Sequence, residues 1–341
     1  MMLASQKLAA NGSKCQLLPA GFDGGNGSAK LALGDAEIRI PSYFLPIHGD
    51  LYDVPASIEG SLVEYVVGDR PDLVGQRWLA GLPAYQQNPS GCFRTVDDPK
   101  GKLKFGLQML LGAIGTLTHQ NFWTLDLVAS IQDAQAFGDE LKQLLHGGHT
   151  VKLNGSRLHS TVQINVLNVV EEGVGAIVSS RQTIDPNAQT LLYDFGSGTC
   201  IISVFGAKGK LTERTVSPGG VEQLINSIAK NIETRRHLAA EGDRQIIRTA
   251  VENQTFLYGE TGWNFRHIYD AELKPWVQSV LSPALKAAAP WTPTSKSIIA
   301  VGGGSQLPAI AELLAMKGIK PAGDCWANAR GLRKIAQLKR G

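Results

Sequence analysis

The chain has 341 residues, a length that suits about two domains. Hydrophobic residues make up 43% and charged residues 18%, which excludes a disordered chain and leaves ample material for buried cores. A net charge of +3 neither demands nor excludes a nucleic-acid partner, and the 38 glycines follow no collagen period, so they speak for tight turns and close backbone approaches.

The first sixteen residues are small and polar, carry no signal-peptide apolar core and read as a loose tail. "CQLLPAGFD" and "AKLALGD" follow as two strands around a glycine turn, and "AEIRIPSYF" alternates as a third. From about 46 to 104 the chain is irregular and rich in Pro and Gly, with one strand-like piece, "SLVEYVVGD". A smaller inserted subdomain is expected there. Apolar spacing at Phe105, Met109, Leu110 and Ile114 predicts a helix over "KFGLQMLLGAIGTL". "FWTLDLVASI" reads as a strand, and "AQAFGDELKQLLHG" as an amphipathic helix stopped by glycine.

"HSTVQINVLNVVEEGVGAIVSS" begins as a strand and turns helical at its acids. "TLLYDFGSGTCIISVFGAKGKLTERTV" repeats the opening pattern of strand, aspartate, glycine turn and strand, then adds a hairpin. "PGGVEQLINSIAKNI" predicts a helix behind a glycine pair, and residues 235–262 carry little pattern. "LKPWVQSVLSPALKAA" reads as a helix broken at Pro283, and "SIIAVGGGSQLPAIAELLA" as strand, triple glycine and helix. Cys15, Cys92, Cys200 and Cys325 are far apart and match no C-x-x-C or zinc-finger spacing, so reduced thiols in a cytoplasmic protein are expected. No segment reaches the ~18–20 apolar residues of a membrane span.

The aspartate-plus-glycine turn therefore occurs twice, about 170 residues apart, which points to two α/β halves facing each other across a cleft. In the first copy Asp23 precedes Gly25, Asn26, Gly27 and Lys30. A turn with little side-chain bulk brings backbone N–H groups close to phosphate oxygens, and the lysine adds charge. Asp23 itself repels phosphate, so the pairing calls for a cation between them, and magnesium held through water suits it. An ordinary hairpin turn is the plainer alternative. Asp194, Gly196, Gly198 and Thr199 repeat the arrangement, and no Walker A sequence occurs. "VGGGSQLPAI" puts glycines where a strand becomes a helix, suited to an anion or the ribose end of a nucleotide, while the Rossmann fingerprint fails. In "EEGVGA" an acid either orients water for attack on phosphate or merely favours a helix N-terminus.

The ordered set Asp23…Lys30, Glu172, Asp194…Thr199 and Gly302-Gly303-Gly304 resembles the actin-like ATPases, in the larger group containing actin, Hsp70 and hexokinase. More narrowly it looks like the ParM/StbA plasmid-segregation branch, to which "IPSYF", "EYVVGD", "FGLQMLLGAI" and "ANARGL" are each similar, in the same order. The resemblance implies an actin-like α/β fold: two ribonuclease-H-like domains with a nucleotide cleft between them and a smaller inserted subdomain. It implies a first phosphate loop of Asp23, Gly25, Asn26, Gly27 and Lys30, and a second of Asp194, Gly196, Gly198 and Thr199. Gly302, Gly303, Gly304 and Ser305 become the adenosine-side loop, with Gly219 and Gly220 opposite it. Asp23 and Asp194 would hold Mg2+ through water. Glu172 takes the catalytic carboxylate position, with Glu171 as the register alternative.

The expected boundaries are a tail over 1–16, domain I over 17–180 with its insert at about 46–104, domain II over 181–314, and a segment over 315–341 returning to domain I. The implied activity is an ATPase or GTPase whose nucleotide controls assembly of the chain into filaments, for plasmid segregation or as a bacterial cytoskeletal element. A small-molecule kinase of the same superfamily and a non-hydrolysing nucleotide-binding scaffold are the alternatives. The basic "RGLRKIAQLKRG" suits a helix C-terminus, or contact with an acidic adaptor or a neighbouring subunit. In ParM-like systems a separate DNA-binding adaptor holds the cargo, so no direct nucleic-acid contact is expected.

Overall fold

The structure, a computed structural model, describes residues 17–53, 57–98 and 100–339; the tail, with Cys15, and Arg340 lie outside the described residues. Among the described residues ten strands form one sheet: β1 (Leu17–Gly24), β2 (Ser28–Leu33), β3 (Ala36–Pro41), β4 (Tyr43–Ile47), β5 (Gly60–Gly68), β6 (Arg77–Gly81), β7 (Phe93–Arg94), β8 (Phe122–Ile131), β9 (Gly147–Leu153) and β10 (His159–Glu171). Their order is β3-β2-β1-β8-β10-β9-β5-β6-β4-β7. A second sheet, in the order β13-β12-β11-β14-β15, holds β11 (Thr190–Phe195), β12 (Thr199–Phe205), β13 (Leu211–Pro218), β14 (Ser297–Val301) and β15 (Lys320–Pro321).

The duplication seen in the sequence is a duplication of topology. β1, β2 and β3 form an antiparallel meander, and β8 runs parallel to β1. β11, β12 and β13 form the second meander, and β14 runs parallel to β11. Each aspartate stands near the C-terminal end of its parallel strand, Asp23 opposite Ser130 and Asp194 opposite Val301. Ligands of α/β sheets gather at that edge.

Between the strands of the first sheet run α1 (Leu82–Gln87), α2 (Gly101–Ile114) and α3 (Ala134–Leu145), and α4 (Val174–Ser179) follows β10. The second sheet carries α5 (Val221–Lys230), α6 (Ile232–Leu238), α7 (Arg244–Glu252), α8 (Arg266–Trp276), α9 (Ser282–Ala288) and α10 (Ile310–Met316), and α11 (Ala327–Leu338) comes last. α2 is apolar nearly all round because it is buried nearly all round, between the first sheet and α3. A Cβ on Gly112 would stand 2.4 Å from that of Ala80, so only glycine lets this helix lie so close to β6. α3 starts on Asp133, whose carboxylate accepts from the Ala136 N–H.

Four differences from the sequence reading stand out. The stretch from 46 to 104 is not mainly irregular: besides β5, which is the strand-like "SLVEYVVGD", β6 and β7 lie in it, and all three join the first sheet. β6 and β7 are short, at five and two residues, so pairing rather than alternation fixes them. Residues 235–262 hold the end of α6 and all of α7, which buries Ile247, Ala250 and Val251 and starts on the capping carboxylate of Asp243. Pro283 does not break its helix. It opens α9 directly after a π-turn at Val277–Leu281, so α8 and α9 are joined by helical backbone. The acids Glu171 and Glu172 are not in a helical turn, because β10 runs to Glu171 and α4 begins at Val174 behind Gly173.

α11 packs back onto the first sheet, where Leu332 and Ala336 are buried against Val128. A Cβ on Gly21 would stand 2.2 Å from the Ala329 carbonyl oxygen, so β1 and α11 touch backbone to backbone. α11 crosses α4 in the same manner. A Cβ on Gly331 would fall 1.8 Å from the Gly175 carbonyl oxygen, and one on Gly175 would fall 2.2 Å from that of Asn328. No helix among the described residues is long and apolar enough to cross a membrane. Cys92, Cys200 and Cys325 are free thiols.

Candidate functional site

The two glycine turns meet tip to tip. A Cβ on Gly27 would stand 2.4 Å from the Ser197 Cβ, so the first hairpin reaches the second only because residue 27 has no side chain. The first turn is braced from β4's side: Ser42 Oγ donates to the Gly25 carbonyl oxygen at 2.6 Å, and the Ser42 N–H to that of Gly27 at 3.2 Å. The second is braced by α5, whose Val221 and Glu222 N–H groups donate to the carbonyls of Gly196 and Ser197 at 3.2 and 2.8 Å.

One cleft is lined by Asp23, Gly25, Asn26, Gly27, Lys30, Glu172, Asp194, Gly196, Gly198, Thr199, Gly302, Gly303 and Gly304, so thirteen residues singled out from four separate stretches come together. It encloses about 120 Å3. Lys30 Nζ lies 3.8 Å from the Asp23 carboxylate and faces Asp23 across the β1–β2 register. Gly302, at φ 87°, brings its backbone so near Asp194 that a Cβ there would stand 2.6 Å from Oδ1. Burial pushes the Asp194 carboxyl up to about 6, and the neighbouring charges of Asp23 and Glu172 push the same way.

Three expected residues stand elsewhere. Gly219 and Gly220 line a neighbouring cavity, not the one beside Gly302–Gly304. A Cβ on Gly220 would fall 2.4 Å from the Ser197 carbonyl oxygen, so glycine there lets α5 abut the second turn. Ser305 is fully buried, and its Oγ donates to the Gly302 carbonyl at 2.8 Å, which locks the loop from behind. The glycine run leads into a 3-10 turn at Gly303–Gln306, and α10 starts only at Ile310, so no α-helix N-terminus faces the cleft there.

The adjacent acids part company. Glu171 accepts from the Ala134 and Asp133 N–H groups at 2.7 and 3.2 Å and from Arg214 Nη1 at 2.7 Å, so it caps α3. Glu172 is buried in the cleft and accepts from Lys102 Nζ. Lys102, in the first turn of α2, was not expected; burial lowers its pKa, but Glu172, and beyond it Asp23 and Asp194, outweigh that and the pKa ends raised. The cleft is also spanned by Arg39 of β3 and Glu252 of α7, paired through two contacts at 2.8 and 2.9 Å. Arg248 of α7 lines the cleft and donates to Ser197 Oγ at 3.3 Å.

Among the described residues no cluster of three or more His, Cys, Asp or Glu has the geometry of a metal cage. Asp23, Asp194 and Glu172 instead gather three carboxylates around the cleft, and burial first, then the charges of Asp23 and Glu172, raise the Asp194 pKa. That chemistry fits a hydrated divalent cation held through water, not an inner-sphere site.

Residues 21–175 match the family model described as the actin-like proteins N-terminal domain. Among solved structures, the chain is similar to the ParM of Bacillus thuringiensis with ATP, at 18% identity and TM-score 0.68 over 95% of this chain and 99% of that one. It is also similar to ParM of a 15-stranded filament from Clostridium botulinum, at 16% identity and TM-score 0.67 over 94% and 99%. The actin-like protein Alp7A matches at 13% identity and TM-score 0.67, over 95% and 97%. The fold is actin-like, of the ParM type. No curated protein matches the chain. In this actin-like fold the two paired meanders meet at their hairpin turns, and "ANARGL" is the stretch whose small residues let α11 close onto β1 and α4.

Proposed function

We propose that this actin-like protein binds a magnesium nucleoside triphosphate, ATP or GTP, between its domains, assembles head to tail into filaments, and hydrolyses the nucleotide to control disassembly. One observation carries the reading: two Asp–Gly hairpins from duplicated meanders meet across a cleft that also holds a buried glutamate. The ATP-bound ParM of Bacillus thuringiensis and the Clostridium botulinum ParM filament, which share the fold, support it.

In this reading the N–H groups of both turns and Lys30 grip the phosphates, and the Gly302–Gly304 backbone flanks the nucleoside. Asp23 and Asp194 hold the magnesium hydration shell; when bound, the ion neutralises charge on the phosphates. Glu172 aims the attacking water at the terminal phosphate, and Lys102 fixes the carboxylate's direction. Cleft closure favours the subunit shape that fits its neighbour, and a heterologous contact that does not close on itself gives an open polymer. The cellular role is segregation of plasmid or other DNA through a separate adaptor, or a cytoskeletal one, in the cytoplasm.

Sedimentation and phosphate release on the same samples test it. Assembly with Mg–ATP should show a critical concentration that rises when ADP replaces ATP. A protein that stays monomeric at tens of micromolar with either triphosphate, over several salt conditions, overturns the reading.

A further inference from the structure

On the far side of the touching hairpin tips lies a second, larger cavity of about 530 Å3. Asn26, Gly27, Ser197 and Gly198 line both this cavity and the cleft, so the tips form a shared partition. One wall comes from the start of β4 and the inserted subdomain, through Tyr43 and Arg94. The opposite wall comes from α5 and α7 through Glu222, Lys230, Arg244 and Arg248.

The charges of this lining do not balance. Arg248 pairs with Glu222, and Arg94 and Arg244 each bring a guanidinium nitrogen to 3.7 Å from the same carboxylate. Outside the cavity Asp97 holds Arg94 at 2.7 Å. Lys230 has no acidic partner among the described residues. Four cations against two carboxylates leave two positive charges around a polar hollow. Three guanidiniums directed at one carboxylate repel one another, and a multiply charged anion relieves that repulsion while matching their planar donor forks. The cavity spans the domains, and beside it the Tyr85 hydroxyl donates to Asp243 at 2.8 Å, a second tie between insert and domain II.

We propose that this cavity is a second binding site, for a small phosphorylated anion with at least two negative charges, which braces the inserted subdomain against α5 and α7. The site goes beyond the nucleotide reading and does not require hydrolysis. Its ligand has two possible sources: inorganic phosphate released next door, or a free phosphorylated compound from solution.

Isothermal titration of the full chain with inorganic phosphate, and separately with pyrophosphate, tests this. Each titration is run with and without a saturating Mg complex of the non-hydrolysable analogue AMPPNP. Binding should persist with the analogue present. Arg244→Gln should weaken it roughly tenfold or more, the loss of one charge-assisted hydrogen bond. Glu222→Gln removes the competing carboxylate and should tighten it severalfold, a gain that damage to the fold does not produce. Preference for phosphate supports the product as source, and preference for pyrophosphate supports an outside compound. No heat from either probe at millimolar concentrations overturns the site. So does competition by AMPPNP, which would put the probe in the cleft, or an affinity indifferent to both substitutions. If AMPPNP itself fails to bind, the nucleotide reading fails, and the two variants still decide the anion site on the free protein.

Discussion

Lys102 and Glu172 form an ion pair inside the cleft, with side chains only 10% and 9% exposed. Removing one member of a buried pair leaves an uncompensated charge, at a cost of about 3–5 kcal/mol. Lys102→Gln should therefore lower unfolding stability by about that much in urea titrations. The double variant Lys102→Gln/Glu172→Gln should recover most of the loss. Equal stabilities for the single and double variants would show that the pair is not coupled.

Glu172→Ala should bind nucleotide nearly normally and still assemble, while phosphate release falls ~10²–10⁴-fold and filaments persist. Glu171→Ala should hydrolyse near the wild-type rate but melt at a lower temperature, because it strips the cap from α3 and the partner from Arg214. A Glu171 variant that is stable but inactive would reverse the two roles.

Arg39 and Glu252 clasp the cleft between β3 and α7. Both side chains are about one-third exposed (34% and 32%), so the pair contributes at most ~1 kcal/mol. Arg39→Ala should speed release of a fluorescent nucleotide by up to about fivefold, with the Arg39→Glu/Glu252→Arg swap restoring slow release. Release rates equal to wild type in Arg39→Ala would mean the clasp does not gate the cleft.

Two buried groups titrate in opposite senses. Asp194, raised to about 6 by burial and by Asp23 and Glu172, binds a proton more tightly folded than unfolded. In nucleotide-free, magnesium-free protein it should add stability as the pH falls through about 6, and Asp194→Asn should abolish that gain. His149 is fully buried beside the Tyr65 hydroxyl, 2.9 Å from its Nδ1, and burial holds its pKa below the ordinary histidine value. Its contribution is complete above the ordinary value and is lost as the pH falls below it towards the folded-state pKa. His149→Gln should flatten that loss in the Asp194→Asn background. Unfolding free energies measured from neutral to mildly acidic pH read both slopes.

Much of the cleft was legible in the sequence because close approach dictates glycine. Gly27 meets Ser197, and Gly302 meets Asp194, at distances no side chain survives. The choice between Glu171 and Glu172 was not, since neighbours at a strand end point to opposite sides and the pattern does not say which side is the cleft. Lys102, Arg39 and Arg248 were invisible for another reason. Each is a long cation on a different element, and only the packing of α2, β3 and α7 around the hairpins gathers them. Gly220 showed that something approaches closely; the sequence could not say that it was the second turn's own backbone.

The crossing of α4 and α11 joins the two sheets. The chain leaves the first sheet through Glu172–Ser180 and returns through Ala322–Ala327, and these passages are stitched together: Ser179 Oγ donates to the Ala327 carbonyl at 2.6 Å and Ser180 Oγ to that of Ala322 at 3.4 Å. Two passages of the chain are thus bound side by side, with Gly175 and Gly331 in backbone contact. Sliding or twisting would drive peptide into peptide at that contact. The two passages of chain that join the sheets are thereby held in one register, so neither can shift without carrying the other.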